Sequence, residues 1–202
     1  MSSREEILAS IRGSLPQLER PLPPVPLFDE LTAVSLLATF KESLERMGGL
    51  FLDLPASGDP RAPVHTKLAG AKVVCSTVPE FTGNRSMADV RTPQDLADVD
   101  FAIVRASFAV AETGSVLLTE ANLEMNAVAY LAQHLIVLLD PAEIITNMHH
   151  AYRRPEFRER SYACLHTGPS ATADIEGVLI HGAQGVRSLS VLPLPRVPVR
   201  LT

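Results

Sequence analysis

The chain has 202 residues, 46% of them hydrophobic, and a formal net charge of −5. That length suits one domain with a short extension, and the apolar content excludes general disorder. An acidic balance without a basic face argues against nucleic acid as a partner. The densest basic stretch, Arg153, Arg154, Arg158 and Arg160, is interleaved with Glu156 and Glu159 and reads as a solvated surface.

In chain order, Ser3 with Glu6 three positions on has the spacing of a capping box and predicts a helix start. Ile7, Leu8, Ile11 and Leu15 then share one helical face, which must dock on this domain or on a neighbouring subunit, because so short a helix is marginal alone. A proline-rich stretch, residues 21–26, follows as a stiff extended linker. The expected organisation is an N-terminal helical arm and linker over residues 1–27 and an α/β domain over 28–202.

A second helix is predicted over residues 29–47, with Leu31, Val34, Leu37, Ala38, Leu44 and Met47 inward and Gly48-Gly49 as its stop. Short apolar runs at residues 50–52, 72–75, 101–104, 116–119, 135–139, 162–165 and 189–192 read as strands, several with the few polar positions of strands covered on both faces. Helices are predicted at 92–98, 122–132, 142–153 and 172–180, and a surface loop at 55–63. Strand–helix alternation predicts a mostly parallel sheet with helices on both sides.

Cys75 and Cys164 are the only cysteines, too few for an iron–sulfur cluster held by this chain alone or for a disulfide framework. The N-terminal residues lack the apolar core of a signal peptide, and the longest apolar run is far shorter than a membrane span. The expected location is the reducing cytoplasm. His65, His134, His166 and His181 show no metal-ligand spacing, and the adjacent His149 and His150 diverge on a helix, so no metal site is expected.

Two segments can carry chemistry. Glu112, Thr113, Gly114 and Ser115 interrupt two apolar runs, where a carboxylate is expensive unless paired or hydrogen-bonded. Either Glu112 is presented in a cleft, or it caps local backbone amides in a turn. In the second, Gly168 to Glu176 follows a strand and is predicted to open a helix, with Ser170 or Thr172 as N-cap and Asp174 and Glu176 in the first turn. A helix start beyond a parallel strand is a ready anion site, although acidic residues there are also ordinary helix stabilisers. Both segments are expected to converge on one cleft beyond the carboxyl ends of the strands, with Asn147 and Arg105 as plausible polar additions.

Ala111-Glu112-Thr113-Gly114-Ser115 and Gly168-Pro169-Ser170-Ala171-Thr172-Ala173-Asp174-Ile175-Glu176, continuing to Gly182-Ala183-Gln184-Gly185 and a last strand, together resemble the LUD-domain family and within it lactate-utilisation protein C. The resemblance implies a three-layer α/β/α fold with a mostly parallel sheet, similar to the sugar-phosphate isomerase and CoA transferase-like fold. It also implies a role in oxidising L-lactate to pyruvate. This chain would be the cofactor-free member, with iron–sulfur clusters in partner subunits and the N-terminal arm offering a route to a homo-oligomer. Glu112 and Asp174 become the catalytic candidates, and Thr113, Gly114, Ser115, Gly168, Ser170, Thr172 and Glu176 the substrate-binding ones. A stand-alone transferase or ligase using Glu112 on a small carboxylate or acyl substrate, and a small organic acid binding module, are the rival readings.

Overall fold

The computed structural model describes residues 2–15, 23–29, 35–175 and 177–196, with only the backbone at Arg158. Its centre is a five-stranded parallel sheet built from β1 (Leu50–Phe51), β2 (Val74–Ser76), β3 (Phe101–Arg105), β6 (His134–Leu139) and β11 (Ser188–Pro193), in the order β1-β11-β6-β3-β2. Period-2 alternation sends successive side chains to opposite faces. Ala102, Val104, Leu135, Val137, Leu189 and Val191 enter one core, while Ile103, Ile136, Leu138 and Leu192 enter the other. Both faces are covered, which is why these strands read as nearly unbroken apolar runs.

Phe40 and Leu44 of α2 (Leu36–Arg46), Leu123 of α4 (Glu120–Leu123) and Val128 of α5 (Val128–Leu131) cover the first face. Val64 of α3 (Ala62–Leu68), Val78 and Phe81 cover the second. The architecture is therefore α/β, three layers deep around a mostly parallel sheet. No described helix is long and apolar enough to cross a membrane.

A second sheet continues from the first. The chain leaves β3 into β4 (Ala109–Val110) and β6 into β7 (Ile144–Ile145), and these join β5 (Ser115–Thr119) and β8 (Ala163–His166) in the order β7-β4-β5-β8. Phe108, Val110, Leu117 and Ala151 form a third, smaller core against it.

All seven predicted strands are present, but the helices are corrected. The capping box at α1 (Ser3–Gly13) is Ser2 with Glu5: Ser2 N–H donates to Glu5 Oε2 at 2.7 Å. Two consecutive serines and two consecutive glutamates offer two registers of one spacing, and the earlier is used. Ile7, Ile11 and Leu15 are more than half exposed, so the apolar face of α1 is not docked on the described part of its own domain.

In α2 the inward residues are Leu36, Phe40, Ser43 and Leu44, whereas Leu37, Ala38 and Met47 face solvent. This stripe spans 36, 40, 43 and 44, a regular helical face rotated from the expected one. Leu31 and Val34 lie outside the described residues. Pro63 stands in the first turn of α3, where its missing N–H costs nothing, and so shortens the loop expected at 55–63.

The predicted helix 92–98 is a single 3-10 turn, Pro93–Leu96. The predicted helix 122–132 is interrupted at Glu124, whose φ is +59°, leaving α4 and α5. The predicted helix 142–153 gives way to β7 because Ile144 and Ile145 pair with Ala109 and Val110. Only α6 (Met148–Ala151) remains there, before α7 (Glu156–Glu159).

The predicted helix 172–180 is absent as well. Residues 171–172 (β9) and 180–181 (β10) instead pair as a small antiparallel hairpin. Gly182 N–H donates to Ser170 O at 2.7 Å and Ser170 N–H to Val186 O at 2.9 Å, so cross-strand bonds take the groups a helix would have used. The expected helix N-terminal anion site is thereby removed, and Ser170 and Thr172 are not helix caps.

Candidate functional site

β4 and β7 run parallel, and their pairing extends past their ends: Ala111 N–H donates to Ile145 O at 2.8 Å and Glu112 N–H to Thr146 O at 3.0 Å. Beyond those carboxyl ends lies a cleft of about 390 Å³, floored by Ala111, Glu112, Thr146 and Asn147 and walled by Phe28, Thr39 and His149. This is where ligands bind in open α/β sheets, since the loops leaving neighbouring strands diverge there.

Glu112 Oε2 accepts the amide of Met148, the first residue of α6, at 3.0 Å. Oε1 has no partner among the described residues, and the side chain is exposed. Glu112 is thus both a local cap and a carboxylate presented in a cleft, which joins the two readings its sequence context allowed. One fixed oxygen orients the other as an acceptor for hydroxyl or amine groups, or as a base. A carboxylate ligand at about 5 Å would meet repulsion on the order of 3 kcal/mol at an effective dielectric of about 20.

The segment 23–29 is strapped across α6. Asn147 caps α6 by accepting His150 N–H at 3.1 Å, and its Nδ2 donates to Leu27 O at 2.8 Å. His150 Nε2 bonds Asp29 Oδ1 at 2.6 Å, and the Phe28 and His149 rings meet at 4.6 Å. Phe28 holds a left-handed φ of +54°, a strained conformation of the kind found at ligand-contacting positions.

The remaining motif residues lie on the β8 side of the second sheet. Thr113 Oγ1 donates to Ser115 Oγ at 2.8 Å, and the Ser115 and Thr167 hydroxyls bond each other. The first motif therefore meets Thr167, the residue before the second, as the antiparallel pairing of β5 with β8 requires.

Their glycines face α2. A Cβ on Gly114 (φ +67°) would lie 2.2 Å from Leu44 N, and one on Gly168 (φ +65°) 2.2 Å from Met47 O. Both positions need glycine for backbone conformation and for the close approach of a helix. Ser43 Oγ completes this seam by donating to the Glu112 carbonyl at 3.2 Å.

Thr172 Oγ1 accepts Asp174 N–H at 3.2 Å in the hairpin turn, where Asp174 is exposed. Glu176 lies outside the described residues. Among the described walls of the Glu112 cleft, Asn147 is present, but Ser170, Thr172 and Asp174 are not. Arg105 is elsewhere: it pairs with Glu80 at 2.6 Å and donates to Leu194 O at 2.8 Å, holding the C-terminal segment over the strand ends.

Sequence reasoning missed the strap residue Phe28 and one further cluster. Tyr162, just before β8, alternates with Cys164 and His166 on it and so shares their face, a period-2 signal visible in the sequence. Tyr130 of α5 lies over them: its hydroxyl bonds that of Tyr162 and donates to Cys164 Sγ at 3.4 Å, and its ring meets His166 at 5.3 Å. Burial pushes the Tyr130 and Tyr162 phenols up and the His166 imidazole down, keeping all three neutral near pH 7. Among the described residues, the buried His166 Nε2 has no hydrogen-bond partner. Cys75 is buried, and that burial raises its thiol pKa, which fits an inert core thiol.

Fold and cleft together define an α/β domain with an open cleft beyond the carboxyl ends of paired parallel strands. Residues 65–192 match the LUD domain, and the chain belongs to that family. A solved structure, a DUF162 family protein from Deinococcus radiodurans, superposes with a TM-score of 0.61 at 18% identity, covering 77% of this chain and 94% of that one. The two share a fold. An uncharacterized protein of Neisseria meningitidis serogroup B is 24% identical over 167 residues, 81% of this chain and 69% of its own.

Proposed function

We propose that the chain is a cluster-free component of an L-lactate utilisation system of the protein C type, working in the cytoplasm. It would act with iron–sulfur partner subunits in the oxidation of lactate to pyruvate. The observation that carries this reading is LUD-family membership through residues 65–192, which contain both motifs. Two cysteines cannot supply the four thiolates a cluster normally requires, so the electrons would pass to the partners.

The working site in this reading is the Glu112 cleft, and its test is growth on L-lactate of a deletion strain complemented by Glu112→Gln. Glutamine keeps an acceptor for the Met148 amide but loses the charge and the base. We expect growth to fail with the fold intact, since removing one acid or base typically slows a reaction by about 10²–10⁴-fold. Normal growth would remove Glu112 from the site.

The exposed Glu112 carboxylate favours one second reading, a stand-alone transferase or ligase with Glu112 as nucleophile or base. Turnover of a small acyl substrate by the isolated chain would decide for it.

A further inference from the structure

The cleft floor and the wall residue His149 fall within the family match at residues 65–192, but Phe28 and Thr39 do not. What the cleft selects therefore depends partly on residues outside the shared region. The polar groups offered are the free Glu112 oxygen, the Thr146 hydroxyl and the Thr39 hydroxyl, which donates to Ser35 O at 3.0 Å and so offers only an acceptor; the apolar ones are the Phe28 ring and the Ala111 methyl. His149 adds an imidazole against Phe28. A carboxylate repels a carboxylate but accepts two hydroxyls of a vicinal diol well, and an aromatic wall favours a planar ring. At about 390 Å³ the cleft is in the size range of sites for ring compounds, well above what a three-carbon acid fills.

We propose that this cleft binds an uncharged, ring-bearing vicinal diol of ribonucleoside type, with the diol on Glu112 and the ring against Phe28 and His149. The proposal rests on the reading of the cleft as the working site, but not on lactate as the substrate. In the lactate system the nucleoside would be part of a second ligand beside the organic acid.

The test is calorimetric titration of the full chain with adenosine, 2′-deoxyadenosine and L-lactate. Adenosine should bind, and loss of its 2′-hydroxyl or Glu112→Gln should each weaken binding about tenfold or more. The two changes together should do no worse than either alone, because both remove the same contact. Phe28→Ala should weaken adenosine binding while leaving circular dichroism unchanged. L-lactate should not displace adenosine.

Absence of adenosine binding overturns the proposal, as does equal binding of the deoxy compound. L-lactate that binds here and tightens in Glu112→Gln also overturns it, because it would mark an anion site held back by Glu112. Growth separates the two readings. Failed growth of Glu112→Gln without adenosine binding keeps the cleft and discards this ligand class. Normal growth with diol-dependent adenosine binding removes Glu112 from the lactate role and keeps the cleft as a diol site.

Discussion

At the scale of single residues, the motif positions divide by what their atoms touch. Glu112 keeps one oxygen on the Met148 amide and offers the other to the cleft. The Gln variant should therefore change stability by less than about 1 kcal/mol, the range of an exposed hydrogen bond that is largely retained. A melting temperature many degrees lower would make its role structural. Gly114 and Gly168 have no such freedom. Gly114→Ala would place a methyl on the α2 backbone at an imposed left-handed φ, and we expect a loss of about 3 kcal/mol, read as roughly 10 °C in melting temperature. Wild-type melting would mean that α2 can shift away. Arg105 is buried against Glu80, whose Oε2 already lacks a partner among the described residues. Arg105→Ala strands that carboxylate and should cost about 3–5 kcal/mol, measurable by urea denaturation.

At the scale of elements, α1 and the hairpin β9–β10 depart most from what their sequences suggested. α1 is capped, yet carries Ile7, Ile11 and Leu15 in solvent. A short helix with an exposed apolar stripe is stabilised by covering that stripe, and a neighbouring subunit is the cover we propose. Deleting residues 1–20 should lower the association state seen by analytical ultracentrifugation; an unchanged sedimentation profile would leave the arm as a free extension. In the hairpin, Thr172, Asp174 and Gly182 are local turn formers whose bonds compete with helix, and the partners Ser170 and Val186 decide the competition. Short elements such as β7 and α6 were misjudged for the same reason: Ile144 and Ile145 can enter a helix or a strand, and pairing with β4 chose the strand.

At the scale of the whole molecule, pH acts through half-buried imidazoles. Burial lowers the pKa of His166 and of His134, so the unfolded chain binds protons that the folded chain refuses. Their contribution is complete above the unfolded value of 6.5 and declines as pH falls below it toward the folded values. Melting temperature should therefore drop between neutral pH and pH about 5, and His166→Gln should flatten that slope. A slope unchanged in the variant would assign the effect to other groups. The purified chain should also contain no iron, since four thiolates are lacking.

The sequence by itself determined the strands and the family, but not the shared cleft expected for Glu112 with Ser170, Thr172 and Asp174. Continuous apolar runs at 101–104, 135–139 and 189–192, set in strand–helix alternation, fit a sheet covered on both sides. The tertiary structure alone decided which side of the second sheet each side chain serves. One residue of offset along the chain moves a side chain to the other face or the other neighbour, so Glu112 went with α6 and the strap while Ser115 went with Thr167. The cleft was not legible because Phe28, Thr39, Glu112 and His149 are far apart in sequence: the parallel pairing of two-residue strands brings Glu112 to His149, and the Asn147–Leu27 and His150–Asp29 bonds bring the strap that carries Phe28. Such pairs carry too little local pattern to be read before the fold supplies the partner.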